Sequence, residues 1–163
     1  MKRINIFNVA KTSDNTICLV KEKGGLYNVV PCTDADALFN AFTEIFNPAQ
    51  NVQESVYMLA LDIKLNIVGA FELARGSMDC CPVDLKTIFQ RLALTPAASF
   101  AICHNHPSGV PAPSLEDIDL TKRIKAAADI MGYSFIDHII IGSTSETTDY
   151  NSIRSTAPHA FTA

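Results

Sequence analysis

Two histidines and an aspartate carry the chemistry that this sequence suggests. His104 and His106 stand two apart at the end of a short apolar run, Ala97 to Cys103, and Asp117 follows further on. The run is bounded by Pro96 and reads as a buried strand. Residues two apart on a strand point to the same side, so both imidazoles can face one point in space. Pro107 lacks a backbone donor and stops the strand, Ser108-Gly109 turns the chain, and Pro111 and Pro113 stiffen the return path. Ser114 then opens a helical pattern with Asp117 in its first turn. Two imidazoles and a carboxylate, with a fourth position open, is how a catalytic zinc is held.

Each part also has a plainer reading. Ser114 to Asp117 alone is a good helix start, with Ser114 as N-cap and acidic residues in the first turn. A lone histidine in an apolar strand is usually a satisfied core residue. Here two of the chain's four histidines converge, and together with the turn and the acidic helix start they favour a metal. Other candidates carry less. Adjacent Cys80 and Cys81 cannot easily bind one ion, and Cys103 points opposite to His104 on a strand. The His-x-Glu and Pro-Cys-x-x-Cys pattern of zinc deaminases is absent. His138 beside Asp137 reads as structural, and His159 lies in the tail.

His104-x-His106-Pro107 with Ser114-x-x-Asp117 resembles the JAMM signature of the JAB/MPN metallopeptidase superfamily. The longer strings His104-Asn-His-Pro-Ser-Gly109 and Pro113-Ser-x-x-Asp117 resemble its bacterial RadC branch, as do Leu59-Ala-Leu-Asp62, Glu72-Leu-Ala-Arg-Gly76 and Asp137-His-Ile-Ile-Ile-Gly142. The resemblance implies an α/β, JAB/MPN-like (cytidine-deaminase-like) mixed sheet flanked by helices. It implies one zinc per chain on His104, His106 and Asp117. It further implies Glu72 as the base that takes a proton from the attacking water, and Ser114 as a hydrogen-bond donor to the oxyanion. The reaction would be hydrolysis of a peptide or isopeptide bond in a peptide or protein substrate. From spacing alone Glu72 is an ordinary solvated glutamate at a strand end; Glu54, ahead of the previous strand, is the fallback. Two other classes stay open: a non-catalytic MPN-type scaffold, and the DNA-processing role that the RadC label implies.

The elements must place these side chains. Arg3 to Val9 and Thr16 to Lys21 have strand character, and Gly24-Gly25 separates the latter from Leu26 to Val30 as a hairpin would. Residues 1–32 therefore read as a small N-terminal β extension, 33–155 as the RadC-like domain, and 156–163 as a loose tail. Asp34 to Phe46 is an amphipathic helix, Ser55 to Leu61 and Ile67 to Leu73 a hairpin, and Pro82 to about Leu94 a second helix. Ser114 to Met131 is a helix closed by Gly132, and Tyr133 to Ile141 a strand. Strand, helix, strand over 98–141 predicts a crossover between two strands of one sheet.

At 163 residues the chain can bury a core without disulfides, and its five cysteines show no framework spacing. No basic-then-apolar leader opens it and no apolar run approaches membrane-spanning length, which predicts a reducing cytoplasm and no membrane partner. A formal charge of −4, and no helix-hairpin-helix module, argue against a nonspecific nucleic-acid binder. The chain should accordingly bind duplex or single-stranded DNA only weakly at physiological salt. A fluorescence-anisotropy titration showing tight, salt-sensitive binding would put the DNA-processing reading first.

Overall fold

Among the described residues, seven strands form one mixed sheet with helices against both faces. The computed structural model describes residues 1–76, 83–144 and 147–162. In chain order the elements are β1 (Lys2–Lys11), β2 (Ile17–Tyr27), α1 (Ala35–Phe46), β3 (Ser55–Leu61), β4 (Ile67–Arg75), α2 (Leu85–Ala93), β5 (Ser99–His106), α3 (Leu115–Met131), β6 (Ser134–Ser143), β7 (Thr148–Ser152) and α4 (Ile153–Thr156). The sheet order is β2-β1-β4-β3-β5-β6-β7. β3 lies antiparallel between β4 and β5, whereas β5 and β6 are parallel neighbours linked through α3, as the strand-helix-strand pattern predicts.

Local chemistry fixes the boundaries near the site. The Asp34 side chain accepts from the Ala37 amide at 2.8 Å and starts α1. Between β3 and β4 the Asp62 carboxylate accepts from the amides of Lys64 and Asn66 at 2.8 and 2.9 Å, holding a turn in which Leu65 takes a φ of 60°. Ser114 and Asp117 form a reciprocal capping box at the start of α3, and Gly132, at a φ of 77°, closes it. α2 starts at Leu85 with Asp84 as its cap, so it begins later than expected from Pro82. Pro82 itself, with Cys80 and Cys81, lies outside the described residues.

β3 is buried along its whole length, and strand alternation divides the core between two faces. Val56, Met58, Ile102 and Ile140 face α2 and α3, where Ile88, Leu92, Ile124 and Ala128 cover them. Tyr57, Leu59, Cys103 and Ile139 face α1, where Leu38 and Phe42 cover them. Cys103 thus points away from His104, as its position on the strand requires.

Two expectations are corrected. Gly24-Gly25 is not a turn: the β1–β2 turn lies at 12–16, and both glycines sit inside β2 opposite Asn5 and Ile4. The reason is close approach rather than bending, because a Cβ on Gly24 would stand 2.6 Å from the Asn5 side-chain oxygen. The hairpin also joins the main sheet, with β1 parallel to β4 and Ile4 and Ile6 buried in the α1-side core. The tail is not loose either. A short 3₁₀ turn, Pro158–Phe161, buries Ala160 and Phe161. The Phe161 ring lies 5.1 Å from that of Phe135, and the Arg154 guanidinium stands 4.2 Å above it. Phe161→Ala should therefore destabilise the fold by about 3 kcal/mol in urea unfolding, whereas His159→Ala, on the exposed side of the same turn, should be near neutral. Equal, negligible effects would mean that the tail does not pack.

Candidate metal centre

The pleat of β5 sets the site. His104 and His106, two apart, extend from the face covered by α3, and their Nε2 atoms lie 3.0 Å apart. The first turn of α3 brings Asp117 to them: Oδ1 lies 3.2 Å from His104 Nε2, and Oδ2 lies 3.4 Å from His106 Nε2. The His104 side chain is 3% exposed and that of His106 19%, so one edge of the triangle opens to solvent. Ligand atoms at zinc-like bond lengths on a tetrahedron stand about 3.3 Å apart, so the separations of His104 Nε2 from His106 Nε2 and from Asp117 Oδ1 suit a metal.

The donor chemistry fits as well. His106 Nδ1 lies 2.8 Å from the Val110 carbonyl oxygen, which can only accept. Nδ1 therefore carries the hydrogen in the neutral ring, and the lone pair of Nε2 faces the centre. Asp117 Oδ2 already accepts from the Ser114 amide at 2.8 Å and the Ser114 hydroxyl at 2.7 Å, leaving Oδ1 as the freer ligand atom. Ser114, singled out as an oxyanion donor, is thus beside the site with its hydroxyl engaged as both donor to Asp117 and helix cap.

The hydrogen bond to Asp117 raises the His106 pKa above the usual imidazole value, against an opposing effect of burial. Burial alone would raise Asp117, but hydrogen bonds from His104 and His106 overrule it and hold the carboxyl far below the usual range. Complete burial pushes the His138 pKa well below the usual imidazole value.

The two candidate glutamates fall on opposite sides of the sheet. Glu72 pairs with Tyr57 in the β3–β4 ladder and shares the α1-side face, opposite to the histidines. Its carboxylate forms a two-point pair with Arg75 at 2.9 and 3.0 Å. The structure does not bring it to the triad. Alternation along β4 sets Glu72 on the same side as Ala70, in the α1-side core, with Phe71 and Leu73 on the other side. Glu54 precedes β3, and continuing the pairing of Val56 with His104 by two residues sets it opposite His106, on the histidine side. It is half-buried, burial raises its pKa, and the charges of His104, Asp117 and His106 act on it.

Asn105, between the histidines, escaped the sequence reading. Its side chain points to the other side of β5, accepts from the Ser55 amide at 3.0 Å and donates to the carbonyls of Asn51 and Gln53 at 3.2 and 3.1 Å. It ties the segment that carries Glu54 to the strand that carries the ligands. A buried amide in an otherwise apolar strand was the available signal.

Residues 32–157 match the model of the RadC-like JAB domain. The chain belongs to that family. Among curated relatives, a UPF0758 protein of Clostridium beijerinckii is 43% identical over 91 residues, covering 56% of this chain and 40% of the relative. One from Geobacter sulfurreducens is 36% identical over 110 residues, covering 68% of this chain and 47% of the relative. The chain therefore spans less than half the length of the curated relatives it matches. β1 and β2 fall before the matched residues of this RadC-like JAB domain. No helix among the described residues is long and apolar enough to cross a membrane.

Protons and a metal would compete for this site. His106 must lose its proton to act as a ligand, and its pKa is raised, so binding strengthens as pH climbs towards that value and levels off above it. Below it, affinity should fall about tenfold per pH unit, the signature of one displaced proton. Zinc titrations against a competing chelator across pH check this. A flat profile through the range just above the ordinary imidazole value would overturn the assignment of His106 as the protonated partner of Asp117.

Proposed function

We propose that this RadC-like JAB domain is a zinc-dependent hydrolase of the JAMM type, cleaving a peptide or isopeptide bond. The observation that carries the reading is the triangle of His104, His106 and Asp117, with half-buried Glu54 beside it on the same side of the sheet. One zinc per chain would be held by the two Nε2 atoms and Asp117 Oδ1. When bound, the ion supplies a Lewis acid that polarises the scissile carbonyl and lowers the pKa of the attacking water towards about 7.

The chain's own groups do the rest. Glu54, rather than Glu72, takes a proton from the attacking water and returns it to the departing amine. Its burial suits that shuttle, because a carboxylate with a raised pKa both accepts and releases a proton more evenly near neutrality. Asn105 holds the Glu54 segment in register with the ligands. The Ser114 hydroxyl turns from Asp117 to the oxyanion as negative charge develops there. The exposed edge at His106 is where an extended substrate segment reaches the centre.

Glu54→Gln keeps size and hydrogen bonding but removes the basic carboxylate. The variant should bind zinc like wild type, while turnover of peptides or isopeptide-linked conjugates falls by roughly 10² to 10⁴. Glu72→Gln, which disrupts only the pair with Arg75, should change turnover less than threefold or so. Equal losses in the two variants would contradict the assignment to Glu54. Zinc lost in Glu54→Gln would make Glu54 a ligand, and zinc-loaded wild type that cleaves no amide in a broad screen would favour a scaffold.

A further inference from the structure

Behind His104 lies a buried polar chain that the hydrolytic reading does not use. His104 Nδ1 stands 2.8 Å from His138 Nε2, and His138 Nδ1 stands 2.7 Å from Thr121 Oγ1. The Thr121 hydroxyl in turn lies 2.7 Å from the backbone carbonyl oxygen of Asp117. His138 and Thr121 are both fully buried, so water cannot substitute for a missing partner.

Counting hydrogens along this chain leaves one arrangement. The Asp117 carbonyl only accepts, so the single hydroxyl hydrogen of Thr121 goes to it. Thr121 Oγ1 then faces His138 as an acceptor, and His138 Nδ1 must carry the hydrogen. In a neutral His138 this leaves Nε2 bare and able only to accept from His104 Nδ1–H. A neutral His104 with hydrogen on Nδ1 has a bare Nε2, and that atom points at the centre. The opposite arrangement would set two lone-pair atoms 2.7 Å apart, Thr121 Oγ1 against the carbonyl oxygen.

We propose that Thr121 and His138 are positioning residues that lock His104 into the Nδ1–H tautomer, so that a lone pair rather than an N–H meets the ion. The relay starts and ends on one residue, because the carbonyl that orders it belongs to Asp117, whose side chain is the facing ligand. The proposal rests on the metal-binding reading above.

The test is Thr121→Val, which keeps shape and removes the acceptor. His138 then has no reason to hold its hydrogen on Nδ1, and moving it to Nε2 forces His104 to become Nε2–H. Long-range ¹H–¹⁵N spectra of zinc-free protein at mildly alkaline pH read both tautomers directly. Wild type should show His104 as Nδ1–H and Thr121→Val should show it as Nε2–H. Zinc affinity in Thr121→Val should fall by about 10- to 100-fold, the usual effect of losing a ligand's outer partner. His138→Gln, whose amide can accept from His104 and donate to Thr121, should keep the wild-type His104 tautomer. An Nε2–H His104 in wild type, or a Thr121→Val variant with unchanged tautomer or unchanged affinity, overturns the proposal. The tautomer is measured without metal, so a wild type that binds no zinc defeats the metal reading and leaves this spectrum to decide the relay.

Discussion

Two imidazole nitrogens 3.0 Å apart beside a carboxylate repel one another unless a cation or a proton stands between them. The rest of the domain can be read as the scaffold that imposes this crowding. The pleat of β5 aims both rings to one side, the central position of β3 holds β5 rigid, and the cap of α3 delivers the carboxylate. Neither histidine could relax away cheaply. His104 is wedged against His138, and His106 is tied to the loop after β5 through Val110. The interaction is therefore unfavourable in isolation and stable only as part of a folded sheet, which is what preorganisation of a binding site means physically.

The legible parts of this structure were those written in local periodicity. α1, α3, the β3–β4 hairpin and the parallel pair β5–β6 follow from apolar spacing and from caps and turn residues in the sequence. The cluster of His104, His106 and Asp117 was legible for the same reason: two residues apart on a strand, and the first turn of a capped helix, are both short-range facts. Glu54 and Glu72 were not, because choosing between them requires knowing which face of the sheet each occupies. That depends on how β3 pairs with β4 and with β5, which spacing within one strand does not encode. Gly24-Gly25 misled because glycine serves close approach as well as turning, and only the pairing with Asn5 tells the two apart. The packed tail depends on Phe135, distant in sequence from Phe161.

The N-terminal hairpin shows how a small addition can become part of the sheet. β4 would end the sheet on that side, and an open strand edge invites pairing with another chain. β1 takes that position instead, and its Ile4 and Ile6 enter the same core as α1. The exposed edge is thereby moved outward to β2, whose side chains include Lys21, Glu22 and Lys23, charges that discourage further strand addition.

Asp117 serves two masters: Oδ2 accepts from Ser114 in the helix cap, while Oδ1 faces His104 and Oδ2 also stands beside His106. That sharing has a consequence for how descent is read within such a family. In a lineage that gave up the ion, pressure to keep α3 capped would continue to preserve Ser114 and Asp117, while nothing in the cap would protect the imidazoles. The serine–aspartate half of the signature would then outlive the chemistry. The two imidazoles take no part in that cap, so their survival beside it would be the trait that reports a retained ion.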